Sequence, residues 1–132
     1  MYPSLLLQSG WGLLFLRVAF GAVLVAHGFP KLKKLKETSA NFSNMGFRPG
    51  ALWGTLIALL ESFGGIAVIL GFMTVCVSAL FIVEFLVIVI WKLAKRGAFV
   101  NGWEFDLLLL AVVVMLFFSG AGMISLDYLW FV

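Results

Sequence analysis

The sequence predicts an all-α membrane protein, an antiparallel bundle of four transmembrane helices with a short interfacial helix after the first. Of its 132 residues, 64% are hydrophobic and only 11% are charged, whereas soluble domains are about 45–50% apolar and about 25% charged. Four apolar runs approach the ~20 residues that a helix needs to cross the hydrocarbon layer of a bilayer. We therefore expect residues 1–132 to form a single transmembrane domain.

Connections of very different length separate the four predicted spans. The spans cover residues 11–29, 51–70, 72–91 and 103–119. A basic loop at 30–50 follows the first span, and within it we expect Ser39 to cap a short interfacial helix that ends at Gly46. The second and third spans meet at Gly71, so they are predicted to form a hairpin with almost no loop.

Basic residues are distributed unequally among the connections. Five lysines and arginines lie in the first connection and three in the third, while the second connection and both ends of the chain have none. Because loops rich in lysine and arginine stay in the cytoplasm, we expect cytoplasmic basic loops and both termini outside. Contact with anionic lipid explains the basic stretch, so no nucleic-acid partner is expected.

Ionisable side chains within the apolar spans are the candidate functional residues. A charge at the centre of a bilayer costs at least about 2.5–3.5 kcal/mol, so each is expected to be paired, neutralised or turned toward a polar cavity. The predicted ligand site or buried polar network comprises Arg17, His27, Lys31, Glu61, Glu84 and Glu104. We expect Glu61 to pair with Arg17, either as a structural ion pair or as the floor of a ligand cavity. Glu84 has no evident partner, which predicts a protonated carboxyl group.

Glycines share helix faces with these charges and predict close helix packing. At about 100° per residue, Arg17, Gly21, Leu24, Gly28 and Lys31 fall on one stripe of the first helix. The predicted packing residues are Gly21, Gly28, Gly64, Gly65 and Gly71. On the fourth helix the stripe expected to face inward contains Glu104, Leu108, Ala111 and Met115.

Metal and covalent cofactor sites are not expected. Cys76 is the only cysteine and His27 the only histidine. One cysteine cannot form a disulfide within the chain or a multi-thiolate site, and one histidine cannot supply both axial ligands of a haem. Scattered carboxylates without further nitrogen or sulfur ligands also make zinc an unsuitable ion.

Four segments together resemble the DoxX family. They read LRVAFGAVLVAHGFPKL, ESFGGIAVILG, NGWE and GAGMISLD, and they follow one another along nearly the whole chain. The resemblance implies a small four-helix protein in the plasma membrane of a prokaryote, in a family associated with membrane redox and oxidative-stress systems. It adds weight to Arg17, His27, Lys31, Glu61, Glu104 and Asp127, and none to Glu84 or Asp106.

Three functions stay open at this stage. The leading hypothesis is a membrane subunit of a redox system that binds a quinone-like carrier, with donors from His27, Arg17 or Lys31 and with the quinone tail in lipid. If the chain is catalytic, it is then a quinone-linked oxidoreductase subunit with a soluble or membrane redox partner, and copies could associate as a homo-oligomer. The alternative is a non-catalytic scaffold or assembly factor. A third hypothesis is a small transporter or proton pathway with relay sites at Glu61 and Glu84.

The charge distribution predicts the result of a topology assay. A reporter fused after Val132 should be active outside the cytoplasm, and one inserted within residues 33–36 should be active inside it, because the basic loops resist translocation. The opposite pattern of reporter activity would contradict the predicted orientation.

Overall fold

The computed structural model describes residues 3–131 of the chain, and the side chains of residues 10–130. All regular structure in that range is helical. In chain order the helices are α1 Pro3–Lys33, α2 Leu35–Met45, α3 Gly50–Leu59, α4 Gly65–Leu70, α5 Thr74–Ala94, α6 Glu104–Ser119 and α7 Leu126–Phe131. A π-helical turn at Leu60–Gly64 joins α3 to α4, so that these two helices form one continuous span.

Within the described residues, four helical segments are long and apolar enough to cross a membrane, which confirms the predicted fold class. They are Gly10–Lys33, Gly50–Leu70, Thr74–Ala94 and Phe99–Ser119. The second and third spans are joined by a tight reversal at Gly71, whose φ of 71° lies in the left-handed region that glycine adopts readily. The C-termini of α1 and α5 and the N-termini of α3 and α6 therefore lie on the same side of the bundle. We call this side the lysine end, because Lys31 and Lys92 lie there.

Helix α2 begins earlier than the sequence predicts. Its N-cap is Lys34, which makes no capping hydrogen bond through its side chain, and Ser39 lies inside the helix. The prediction that Ser39 caps this helix is therefore wrong, because α2 follows α1 almost without interruption. The predicted end is correct, since Gly46 takes a left-handed conformation with a φ of 101°. The indole nitrogen of Trp91 donates to the Met45 carbonyl oxygen at 3.0 Å and so holds the end of α2 against α5.

Aromatic and aliphatic side chains from all four spans fill the centre of the bundle. The Phe20 ring on α1 lies edge-on to Phe81 and to Phe85 on α5, with centroid separations of 5.6 and 6.3 Å. The buried core comprises Phe20, Leu24, Val68, Phe81, Phe85, Leu109, Val113 and Leu116. Apolar side chains on the outside of the helices, such as Phe15 and Phe118, are exposed. Such an outer surface is suited to lipid.

Glycines bring α1 into backbone contact with the second span. A methyl group at Gly21 would lie 2.5 Å from the carbonyl oxygen of Gly65, and one at Gly28 would lie 2.6 Å from the Ser62 nitrogen and 2.8 Å from Glu61 Cβ. A side chain at either position would push the two helices apart. This close approach places the Glu61 side chain beside the last turns of α1, where Lys31 is found.

Candidate functional site

The π-helical turn at Leu60–Gly64 changes the face that the second span presents to the bundle. Glu61 and Ser62, which are adjacent in this turn, are both buried. A π-helical turn holds more residues than a turn of regular α-helix, so it shifts the residues that follow it around the helix axis. Single π-helical turns inside α-helices occur frequently at functional sites. The turn thus makes the region around Glu61 a candidate functional site.

Glu61 pairs with Lys31, contrary to the expectation that it pairs with Arg17. The Lys31 ammonium donates to both carboxylate oxygens of Glu61, at 2.8 and 2.9 Å. The Glu61 residue is only 4% exposed, whereas one third of the Lys31 side chain, 33%, remains exposed. The lysine stem reaches down from the end of α1, so the ion pair extends from the surface of the bundle into its interior. Sequence reasoning missed this pair because it compared the depths of the backbone positions and not the reach of the side chains.

Arg17 is fully buried and binds main-chain carbonyl groups instead of a carboxylate. Its guanidinium donates to the carbonyl oxygens of Val68 at 3.3 Å and of Ile69 at 3.1 Å, and also to that of Ile124. The first two belong to the last turn of α4, where helical carbonyl groups have no partner within the helix. Arg17 therefore adds to the backbone cap at this helix end, where the Gly71 nitrogen also donates to the Val68 carbonyl at 3.1 Å, and ties the segment after α6 to it. Its Nε atom has no hydrogen-bond partner in the described residues.

Asp127 closes the same end of the bundle. Its carboxylate accepts from the backbone nitrogens of Met73 at 2.6 Å and Thr74 at 2.8 Å, and its own backbone nitrogen donates to the Gly71 carbonyl at 2.8 Å. A carboxylate at these nitrogens satisfies free N–H groups at the start of α5 and opposes the positive end of the helix dipole. The segment that carries Asp127 is thus fastened to the hairpin between α4 and α5.

A second ion pair joins α5 to α6 at the lysine end. The Lys92 ammonium lies 2.5 Å from an oxygen of Asp106, which is only 9% exposed. Sequence reasoning gave Asp106 no role. Its spacing from three buried α6 residues nevertheless indicates an inward position, because positions 106, 109, 113 and 116 share one helical face.

Glu84 is a third buried acid and has no ion-pair partner of its own among the described residues. It is 6% exposed, and neither of its carboxyl oxygens makes a hydrogen bond with a described residue. Its strongest electrostatic neighbour is Glu61, and Lys31 and Asp106 also act on it. Three carboxylates and two lysines, contributed by all four spans, therefore form one cluster: Lys31, Glu61, Glu84, Lys92 and Asp106. We call this set the acid–lysine cluster.

The face of α6 that was expected to turn inward is on the outside. Leu108, Ala111 and Met115 are exposed, and Glu104 is half-buried. Asp106 occupies the inward face instead, which leaves the Glu104 stripe to the exterior. One Glu104 oxygen accepts from the backbone nitrogen of Asn101 at 3.1 Å and so holds the turn that precedes α6.

This outward stripe forms one wall of a shallow groove near the lysine end. The groove has a volume of about 490 Å³. It is lined by Phe99, Glu104, Phe105, Leu107, Leu108 and Ala111. His27 is exposed on the adjacent α1, and its ring lies edge-on to that of Phe105 with centroids 6.0 Å apart. The groove thus combines an apolar lining with one carboxylate and a neighbouring imidazole, and we call it the His27 groove.

The acid–lysine cluster and the other described residues do not form a metal centre of the usual kind. No group of three or more histidine, cysteine, aspartate or glutamate side chains is placed to hold a metal ion within the described part of the chain.

A second shallow groove, of about 470 Å³, lies at the opposite end of the bundle between α1, α4 and the segment at residues 123–129.

The fold and the buried charges define a multi-pass membrane protein with four spans. The chain belongs to the DoxX family, whose family model matches residues 12–94, so the resemblance seen in the sequence motifs is confirmed. It is also 30% identical over 116 residues to a curated protein of Bacillus subtilis (strain 168) named "Putative oxidoreductase CatD", a match that covers 88% of this chain and 84% of that protein. No solved structure gives a significant match.

Two double-mutant cycles separate the observed ion pair from the one expected from sequence. Lys31→Leu or Glu61→Leu should each destabilise the protein by about 3 kcal/mol, near the lower end for a buried pair because Lys31 is partly exposed. The double variant should lose much less than the sum of the single losses. The unfolding free energy in detergent micelles is the measurement.

The matched control cycle combines Arg17→Leu with Glu61→Leu. These losses should add within about 0.5 kcal/mol, since the two side chains share no contact. Coupling in the Arg17 cycle together with additivity in the Lys31 cycle would contradict the pairing described here.

Proposed function

We propose that this protein binds a quinone-like carrier in the His27 groove and acts as a membrane subunit of a redox system. The observation that carries the proposal is the combination of a groove of about 490 Å³ with an imidazole beside it and a carboxylate in its wall. Small-molecule sites are typically about 300–1,000 Å³, mostly apolar, and carry a few polar groups that orient the ligand.

The residues of the groove fit the parts of such a molecule. A quinone headgroup is a flat ring with carbonyl oxygens that accept hydrogen bonds, and it takes up two electrons and two protons on reduction. The Phe99 and Phe105 rings offer flat apolar contact surfaces. The His27 imidazole is suited to donate to a carbonyl oxygen, and the Glu104 carboxyl is suited to exchange a proton with it. The exposed Leu107 and Leu108 leave an isoprenoid tail in contact with lipid.

Electrons would reach the groove from a soluble or membrane partner protein. One cysteine and one histidine are too few to hold an iron–sulfur cluster or a bis-histidine haem. The relative named "Putative oxidoreductase CatD" supports a redox context. The family and the basic loops support a prokaryotic cell membrane as the location, with the lysine end and the His27 groove on the cytoplasmic side and both termini outside.

A scaffold or assembly factor is the second candidate, and one observation favours it. The two partly exposed lysines and two of the three buried carboxylates of the acid–lysine cluster are already paired within the chain. Such pairs fix helix register without any ligand. A scaffold of this kind needs no saturable binding of a small molecule, which separates it from the first candidate.

Tryptophan fluorescence distinguishes the two candidates. The Trp103 ring lies edge-on to Phe99 in the groove wall, with centroids 4.6 Å apart, so a quinone in the groove should quench it. Titration of purified protein with a short-chain quinone should give a saturable component that Trp103→Phe removes. His27→Ala should weaken the apparent affinity roughly tenfold, the effect of one lost hydrogen bond of about 1–1.5 kcal/mol.

Leu129→Ala provides the matched control, because Leu129 lines the groove at the opposite end of the bundle. It should leave the titration curve unchanged. Quenching that never saturates, and that is the same in the wild type and His27→Ala, would rule out the quinone site and favour the scaffold.

A further inference from the structure

The acid–lysine cluster contains one more acid than base. Glu61 is bound by Lys31 and Asp106 by Lys92, each through its ammonium group. Glu84 is left over, although it is as deeply buried as the others at 6% exposed. If all five groups are ionised, three carboxylates face two ammonium groups, and one negative charge has no partner.

Such an excess charge is unfavourable at this position. A single charge at mid-bilayer costs at least about 2.5–3.5 kcal/mol, and two neighbouring carboxylates repel each other in addition. The ionisable groups whose charges act on Glu84 are Glu61 on the π-helical turn, Lys31 on α1 and Asp106 on α6. Both lysines are already committed to other carboxylates, so the cluster requires one further positive charge from outside the chain.

We propose that Glu61 and Glu84 share one bound proton, which makes the acid–lysine cluster a proton-binding site inside the membrane. A proton needs no cavity, and Glu84 and Asp106 lie on the same two helices as the buried core residues Phe81, Phe85 and Leu109. A protonated Glu84 donates an O–H hydrogen bond to the Glu61 carboxylate, which gives the Glu84 carboxyl the partner it otherwise lacks. Lys31 then remains on Glu61, and the whole cluster is neutral.

The proton reaches the site from the lysine end. The side chains of Lys31 and Lys92 are 33% and 34% exposed, while the carboxylates they bind are almost fully buried. Each lysine therefore links the surface of the bundle to a buried carboxylate. The site is separate from the His27 groove, because Asp106 and Glu104 lie on different faces of α6. The proposal consequently does not depend on quinone binding.

Infrared spectroscopy of the full-length protein in lipid vesicles tests the proposal without any ligand. A protonated carboxyl group has a carbonyl stretching band that a carboxylate lacks. At neutral pH the wild type should show one such group per chain. Labelling the glutamates with ¹³C should shift the band, and labelling the aspartates should leave it in place. These measurements on the wild type do not depend on the folding of any variant.

Variants then locate the proton. Glu84→Gln should remove the band, while the matched control Glu104→Gln should retain it. Lys31→Met removes the cation that holds Glu61 ionised, so the number of protonated carboxyl groups should rise from one to two per chain. The proposal is overturned if the wild type lacks the band, if aspartate labelling shifts it, or if Glu84→Gln keeps it. Loss of the band on adding sodium at constant pH would also overturn it, by showing that the site takes up a metal cation.

Discussion

The structure depends on one constraint, that a charge inside the bilayer must be neutralised within the protein. Lys31 and Glu61 meet this constraint between α1 and the second span, and Lys92 and Asp106 meet it between α5 and α6. Each pair holds two neighbouring helices in register. Glu84 is the remaining buried acid, and neither lysine forms an ion pair with it. The glycine contacts that bring α1 onto the π-helical turn also contribute to this neutralisation, because they let Lys31 reach Glu61.

The two ends of the bundle consequently differ in what their charged side chains bind. At one end Arg17 and Asp127 bind backbone groups, which fixes a loop and a helix start but leaves little capacity for exchange. At the lysine end the charges belong to side chains, one acid is in excess, and the imidazole of His27 lies beside an open groove. At the lysine end, titratable side chains that are unpaired among the described residues therefore lie near a concave surface. The redox function proposed above would use this combination.

The sequence predicted the bundle well because its strongest signals are local. Apolar length fixed the four spans, Gly71 fixed the hairpin, and the stripe from Arg17 to Lys31 is buried as far as Gly28. The candidate site was harder to predict, because the partner of each charged side chain depends on side-chain length and on an irregular turn. Lys31 extends down to Glu61, and the π-helical turn changes the helical phase. The inward face of α6 carries Asp106, which is spaced at helical intervals from the buried apolar residues of that helix. The prediction instead placed the glutamate of the NGWE motif, Glu104, on the inward face.

Lys31, and not Arg17, neutralises Glu61. Solid-state NMR on the protein in bilayers tests this pairing directly, with ¹³C in the glutamate carboxyl groups and ¹⁵N in either the lysine ammonium or the arginine guanidinium groups. The contacts of 2.8 and 2.9 Å predict strong dipolar dephasing of a glutamate signal by lysine nitrogen, lost in Lys31→Met, and no such dephasing by arginine nitrogen. Dephasing of the Glu61 signal by arginine alone would contradict the account.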